Sequence, residues 1–138
     1  MSPRKRILDT MTVSYLMKGE PCAVSQLQAC SRADVLIPQP VIAEIAFGLE
    51  RMPPSKRRER LEGRLRLILS QVLRANWTDE VSEHFGRVKT LLERSGQLLE
   101  DFDLAIASHA LAVDAVLVTS HAQHMGRIPG LELESWQE

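Results

Sequence analysis

Residues 6–18, RILDTMTVSYLMK, decide the fold: a short apolar run over residues 5 to 8 ends at Asp9, and the pattern from Thr12 to Lys18 suits a helix closed by Gly19. A strand that hands over to a helix at a carboxylate is half of a βα unit, and the chain repeats the pattern. Pro21 opens a second helix in which Val24, Leu27 and Cys30 recur at helical spacing, and VLIP near residues 35 to 38 follows as a buried strand. From Pro40 a third helix runs to Leu49 with Val41, Ile42, Ile45, Ala46 and Leu49 as its apolar stripe, stopped by Pro53 and Pro54. Ser55 caps KRRERLEGRLRLIL, QVLRA reads as a third short strand, and Thr78 and Gly96 bracket the helix between them. The apolar helix DLAIASHALAV starts at Asp101 or Asp103, and AVLVTS, HAQHMGRIPG and LELESW end the chain as strand, loop and strand. Short apolar strands alternating with helices predict an α/β fold, a doubly wound central parallel sheet flanked by helices, with its site beyond the carboxyl ends of the strands. There is no internal repeat or linker, so residues 1–138 are expected to form one domain.

Composition narrows the function. Hydrophobic residues at 44% and charged residues at 25% are ordinary for a globular chain. The net charge of −1 provides no overall field to draw the protein onto phosphate backbones, so nucleic-acid contact would come from local patches. Aromatic residues are only 4%, which makes stacking platforms for single strands scarce. Cys22 and Cys30 lie eight apart in one helical stretch, too far along the axis to bridge, and read as small buried hydrophobes of a reduced compartment. No run of 18 uncharged apolar residues occurs and no long apolar segment follows MSPRKRI, so a cytoplasmic protein without membrane spans is expected.

Three carboxylates break segments that otherwise favour burial: Asp9 after RIL, Glu44 inside VIAEIAFGL and Asp103 in FDLAIASHAL. An ionised carboxylate on an apolar segment costs several kcal/mol unless it is paired or holds a metal. Asp9 reads equally as a helix cap, Asp101 or Asp103 as a cap of its own helix, and Glu44 as the partner of a distant arginine. Together with Glu100 the acids exceed what capping requires. Hard cations such as Mg²⁺ take oxygen ligands and keep several waters, so a few carboxylates from separate elements plus a substrate phosphate suffice.

Other candidates carry less. His84, His109, His121 and His124 have no zinc-ligand spacing, His109 reads as helix surface or core, and His121 and His124 fall in the loop after a strand. No G-x-S-x-G, P-loop or G-x-G-x-x-G is present, so Thr119 and Ser120 read as orienting hydroxyls or turn residues rather than nucleophiles. Lys56, Arg57, Arg58, Arg60, Arg64 and Arg66 would suit an RNA backbone, but the interleaved Glu59 and Glu62 favour a solvated helix face.

Taken in order, LDTMTVSYLMKGEP, IPQPVIAEIAFGLE, LLERSGQLLEDFDLAIASHAL and VLVTSHAQHMGRIPGLELESW resemble the PIN-domain ribonucleases of the VapC toxin family over almost the whole chain. The resemblance implies a PIN-like doubly wound fold and the toxin of a type II toxin-antitoxin system, an Mg²⁺-dependent endoribonuclease that hydrolyses RNA to 3′-hydroxyl and 5′-phosphate ends. It puts the catalytic and metal-binding roles on Asp9, Glu44 and Asp103, and adds Asp101 as an outer ligand. The family's fourth polar position, usually Asp or Asn, falls on His121, and imidazole is a better ligand for Mn²⁺ than for Mg²⁺. Met11 stands where the family usually has Asn or Ser.

The same resemblance implies a VapB-like antitoxin whose C-terminal segment covers the pocket with an arginine, operator DNA bound only through that antitoxin, and a homodimer, heterotetramer or larger complex. Val13, Leu16 and Met17 are candidates for the dimer surface. Met11 and His121 support an alternative, a catalytically weak PIN-domain partner acting with its antitoxin in operator repression. A strand ending in Asp9 and Thr10 also suits an aspartyl-phosphate enzyme, but the lysine expected after a late strand is missing.

Overall fold

The computed structural model describes residues 4–137. Five parallel strands form one sheet: β1 (Arg6–Leu8), β2 (Val35–Pro38), β3 (Leu73–Ala75), β4 (Val116–Val118) and β5 (Leu133–Glu134). Their order is β3-β2-β1-β4-β5, so the chain winds outward from β1 to one edge and returns to build the other side. Ile7 pairs with Leu36 on one side and with Leu117 on the other. The switch point therefore lies between β1 and β4, the place where doubly wound sheets open a crevice for ligands.

The central strands are apolar on both faces because helices cover both, and Ile7, Leu8, Ile37, Leu117 and Val118 have no exposed surface. Helix α1 (Thr10–Lys18) starts one residue after β1, and Gly19 ends it in the left-handed conformation at φ 75°, which only glycine adopts without strain. Helix α2 (Pro21–Ala29) opens on its proline, and a short 3₁₀ turn (Arg32–Asp34) leads into β2. Helix α3 (Gln39–Glu50) follows β2 without a loop.

Helix α4 (Lys56–Gln71) is capped by Ser55, and none of its residues is fully buried. Its basic run is in part structural, since Arg58 bonds the Met52 carbonyl at 2.9 Å and pairs with Glu50 at 3.1 Å. Helix α5 (Asp79–Ser95) runs from its Thr78 cap to Gly96 and packs along α6 (Asp101–Ala112), while α1 packs on α3 and α4. No helix among the described residues is long and apolar enough to cross a membrane.

Several expectations are corrected. Val13, Leu16 and Met17 lie in the core beneath α3 and α4, so they cannot form a dimer surface. Cys22 is exposed, and Cys30 is half-buried and lies just past the end of α2 rather than inside it. Ala46 is exposed, because the buried face of α3 follows the spacing Val41, Ile45, Leu49. The loop after β4 contains a one-turn helix, α7 (Ala122–Met125), anchored by buried Met125.

Candidate active site

Asp9 caps α1 at the carboxyl end of β1. Its Oδ1 accepts the Thr12 amide at 2.8 Å at the start of α1, and its own amide donates to the Val118 carbonyl at 3.0 Å, which fixes it at the carboxyl ends of β1 and β4. It is buried. One carboxylate oxygen serves the cap, and ionised Asp has acceptor capacity left over. Thr12 is buried beside it and donates its hydroxyl to the same Val118 carbonyl at 3.2 Å.

Glu44 comes from the middle of α3 and has no arginine partner among the described residues. Its Oε1 instead accepts the Thr10 hydroxyl at 2.5 Å, which ties α3 to the residue after Asp9. Thr10 is a cap candidate in sequence, and its bond to Glu44 is not visible there because the two residues lie 34 positions apart. Met11, where a polar residue is the family pattern, is half-buried.

Asp103 and Glu100 arrive from α6. Glu100 is the residue before the helix and makes no side-chain cap bond, and Asp103 follows three positions later on the same face. Both line a pocket of about 280 Å³ with His121, His124 and Arg127. Burial first, then the negative charges of Glu44 and Glu100, push the Asp103 carboxyl above its ordinary value, while His121 pulls it partly back. Asp9 adds a smaller push in the same direction. The acids from β1, α3 and α6 therefore sense one another.

Asp101 does not join them. It is turned to α5, where Lys89 pairs with it at 2.9 Å, and Glu100 lines the pocket on that side. The signal that separates the two is the three-residue spacing from Asp103, which puts position 100 rather than 101 on the pocket face.

His121 precedes α7 without capping it by its side chain, and its amide donates to the Thr119 hydroxyl at 2.9 Å, which ties the turn after β4 together. The His121 and His124 rings lie 16° from parallel with centroids 6.2 Å apart. His109 is core, and burial lowers its pKa.

Asp9, Glu44, Asp103 and Glu100 have no ion-pair partner among the described residues. As the side chains stand, no three His, Cys, Asp or Glu groups among those residues converge closely enough to grip one ion by themselves. Unpaired oxygen donors that crowd without closing fit a hard divalent cation held largely through its waters, and fit a soft, fully ligated one poorly.

An acidic crevice at the switch point of a doubly wound parallel sheet defines the class of protein. Residues 6–130 match the PIN domain family. Ribonuclease VapC2 of Rickettsia felis is 31% identical over 134 residues, covering 96% of this chain and 98% of that protein. The crystal structure of VapBC2 from Rickettsia felis bound to a DNA fragment from their promoter has a TM-score of 0.85 and 30% identity over 95% of this chain and 98% of that one. DNA-bound VapBC from Salmonella typhimurium gives a TM-score of 0.82 at 26% identity, covering 97% of this chain and 99% of the other. The chain belongs to the PIN-domain family and, within it, to the VapC ribonucleases.

Proposed function

We propose that this chain is the toxin of a type II toxin-antitoxin pair, an Mg²⁺-dependent endoribonuclease that hydrolyses RNA phosphodiester bonds in the cytoplasm. The observation that carries this is the unpaired cluster of Asp9, Glu44, Asp103 and Glu100 at the switch point of a VapC-type fold. Asp9, Glu44 and Asp103 would hold the cation, with Glu100 on the pocket side and His121 at its rim. When bound, the cation supplies an acidified water and neutralises charge at the scissile phosphate.

The chain's own groups prepare that chemistry. The Thr12 amide and the β1–β4 junction fix Asp9, and the Thr10 hydroxyl holds Glu44 in place, so two ligands are oriented before anything binds. Asp103 is poised by its neighbours' repulsion to gain from an added positive charge. His121 widens the choice of ion to Mn²⁺.

A VapB-like antitoxin is the partner, and operator DNA is reached through it, in line with the complexes named for the relatives. A cationic side chain from that antitoxin suits acids that have no ion-pair partner among the described residues. The test is cleavage of cellular RNA by purified protein in Mg²⁺, compared with Asp9→Asn and Asp103→Asn protein. Cleavage by the wild type alone is expected, and cleavage that survives both substitutions would overturn the site.

A further inference from the structure

A second cavity lies on the same edge of the sheet. It has a volume of about 420 Å³, within the usual range for small-molecule sites, and Ala43, Trp77, Phe85 and Phe102 form its walls, with Gln39 and Asp101 at its rim. Gln39 directly follows β2, and Trp77 comes two residues after β3 ends. The cavity therefore sits over the carboxyl ends of β2 and β3, one to two strand spacings from Asp9 after β1, or roughly 5–10 Å along the edge. Ala43 and Phe102 each immediately precede a site carboxylate, Glu44 and Asp103.

The concentration of aromatics here stands out against the rest of the chain. The sequence has two Trp, three Phe and one Tyr, and one Trp and two Phe line this one cavity. Trp77 and Phe102 are each 47% exposed, which is wasteful for a core and suited to stacking. Trp77 is held in place: its Nε1 donates to the Ser82 hydroxyl at 2.6 Å, and the buried His109 ring stands perpendicular to it at 5.4 Å. His109 Nε2 has no hydrogen-bond partner among the described residues, so the imidazole acts here as a packing wall.

We propose that this cavity receives one unstacked nucleobase of the RNA substrate, next to the phosphodiester held at the carboxylates. The assignment rests on the ribonuclease reading and adds a specificity subsite to it. Proteins that read single-stranded RNA stack splayed bases on aromatic rings and hydrogen-bond their edges. Trp77 and Phe102 supply the rings. The Gln39 amide offers both donor and acceptor, and the Asp101 carboxylate, steadied by Lys89, offers an acceptor. An aliphatic side chain from a protein partner would fill the apolar walls and leave that polar rim unused.

The test uses Trp77 fluorescence in chelator, with buried Trp136 as a constant background. Short oligo(A), oligo(C) and oligo(U) are titrated beside an abasic ribose-phosphate oligomer of the same length. Base-containing RNA is expected to quench Trp77 and to bind roughly tenfold more tightly than the abasic chain, with a preference among the bases. Trp77→Phe should keep most of that advantage and Trp77→Ala should lose it. Gln39→Ala, an exposed position that leaves the walls intact, should change the base preference. Equal binding of abasic and base-containing chains, with the latter still cleaved in Mg²⁺, would overturn the subsite and leave the nuclease standing. Quenching by the antitoxin or by self-association and not by RNA would also overturn it, and RNA that is neither bound nor cleaved would overturn both readings.

Discussion

Glu134 and Asp103 are two partly buried carboxylates in one small fold, and their environments shift them in opposite directions. Glu134, on the edge strand β5, accepts Arg6 Nε at 2.7 Å, Arg6 Nη2 at 3.1 Å and Trp136 Nε1 at 2.7 Å. The Arg6 hydrogen bond, with the Trp136 bond adding to it, holds Glu134 below the ordinary carboxylate range against the effect of burial. Asp103 meets no such donors, and burial together with Glu44 and Glu100 pushes it up. The first acid is satisfied by the fold and joins the two ends of the chain. The second has no ion-pair partner among the described residues, the kind of environment in which a perturbed carboxylate is a candidate for binding.

The largest expected effect tests the second half of that contrast. Asp103→Asn should lower Mg²⁺-dependent RNA cleavage by at least about 100-fold, as Asp9→Asn should, measured by single-turnover kinetics. Glu134→Gln should leave the rate per folded molecule unchanged and destabilise by about 1.5–3 kcal/mol, the range for hydrogen bonds to charged groups, read by urea unfolding. The pH dependence has a definite sign. Glu134 is more acidic folded than unfolded, so its contribution is present above the ordinary carboxylate pKa and is lost as pH falls through the depressed folded value. Asp103 is less acidic folded than unfolded, so its ionisation costs stability, and the cost grows as pH rises from the ordinary value through the raised one.

Thr10→Val should cost about tenfold in cleavage, because Glu44 loses the hydroxyl that orients it, with little change in unfolding. Asp103→Asn protein in chelator should melt higher than wild type at neutral pH, because the ionised carboxyl is held in a partly buried place against the charges of Glu44 and Glu100. The smallest effect belongs to Asp101→Asn. It breaks an exposed pair with Lys89 but keeps an amide oxygen as acceptor at the rim of the aromatic cavity, so stability should move by no more than about 0.5 kcal/mol and cleavage in Mg²⁺ should change less than in any of the site variants above.

Much of this contrast can be read from sequence, and the unread part has physical causes. The alternation of short apolar strands with helices announced the parallel sheet, because strands covered on both faces leave no polar alternation. Asp9, Glu44 and Asp103 were visible as charges on buried segments. For Asp9, cap and site looked like rivals, yet one carboxylate has enough lone pairs for both. Choosing between Glu100 and Asp101 required the first residue of α6, since one step along a helix turns a side chain by about 100° and carries it from the pocket to Lys89. Thr10 with Glu44, and Trp77 with Phe85 and Phe102, come together only through tertiary packing. The apolar residues of α1 look the same in sequence whether they face the core or a partner, and here they face the core.

We expect the crowded acids at the switch point to take up a divalent cation. The direct measurement is the thermal midpoint of wild-type and Asp103→Asn protein, without RNA, as Mg²⁺ or Mn²⁺ is added. A midpoint that rises with cation concentration in the wild type and stays flat in Asp103→Asn is the expected result. Equal shifts in both proteins, or none in the wild type, would contradict the account.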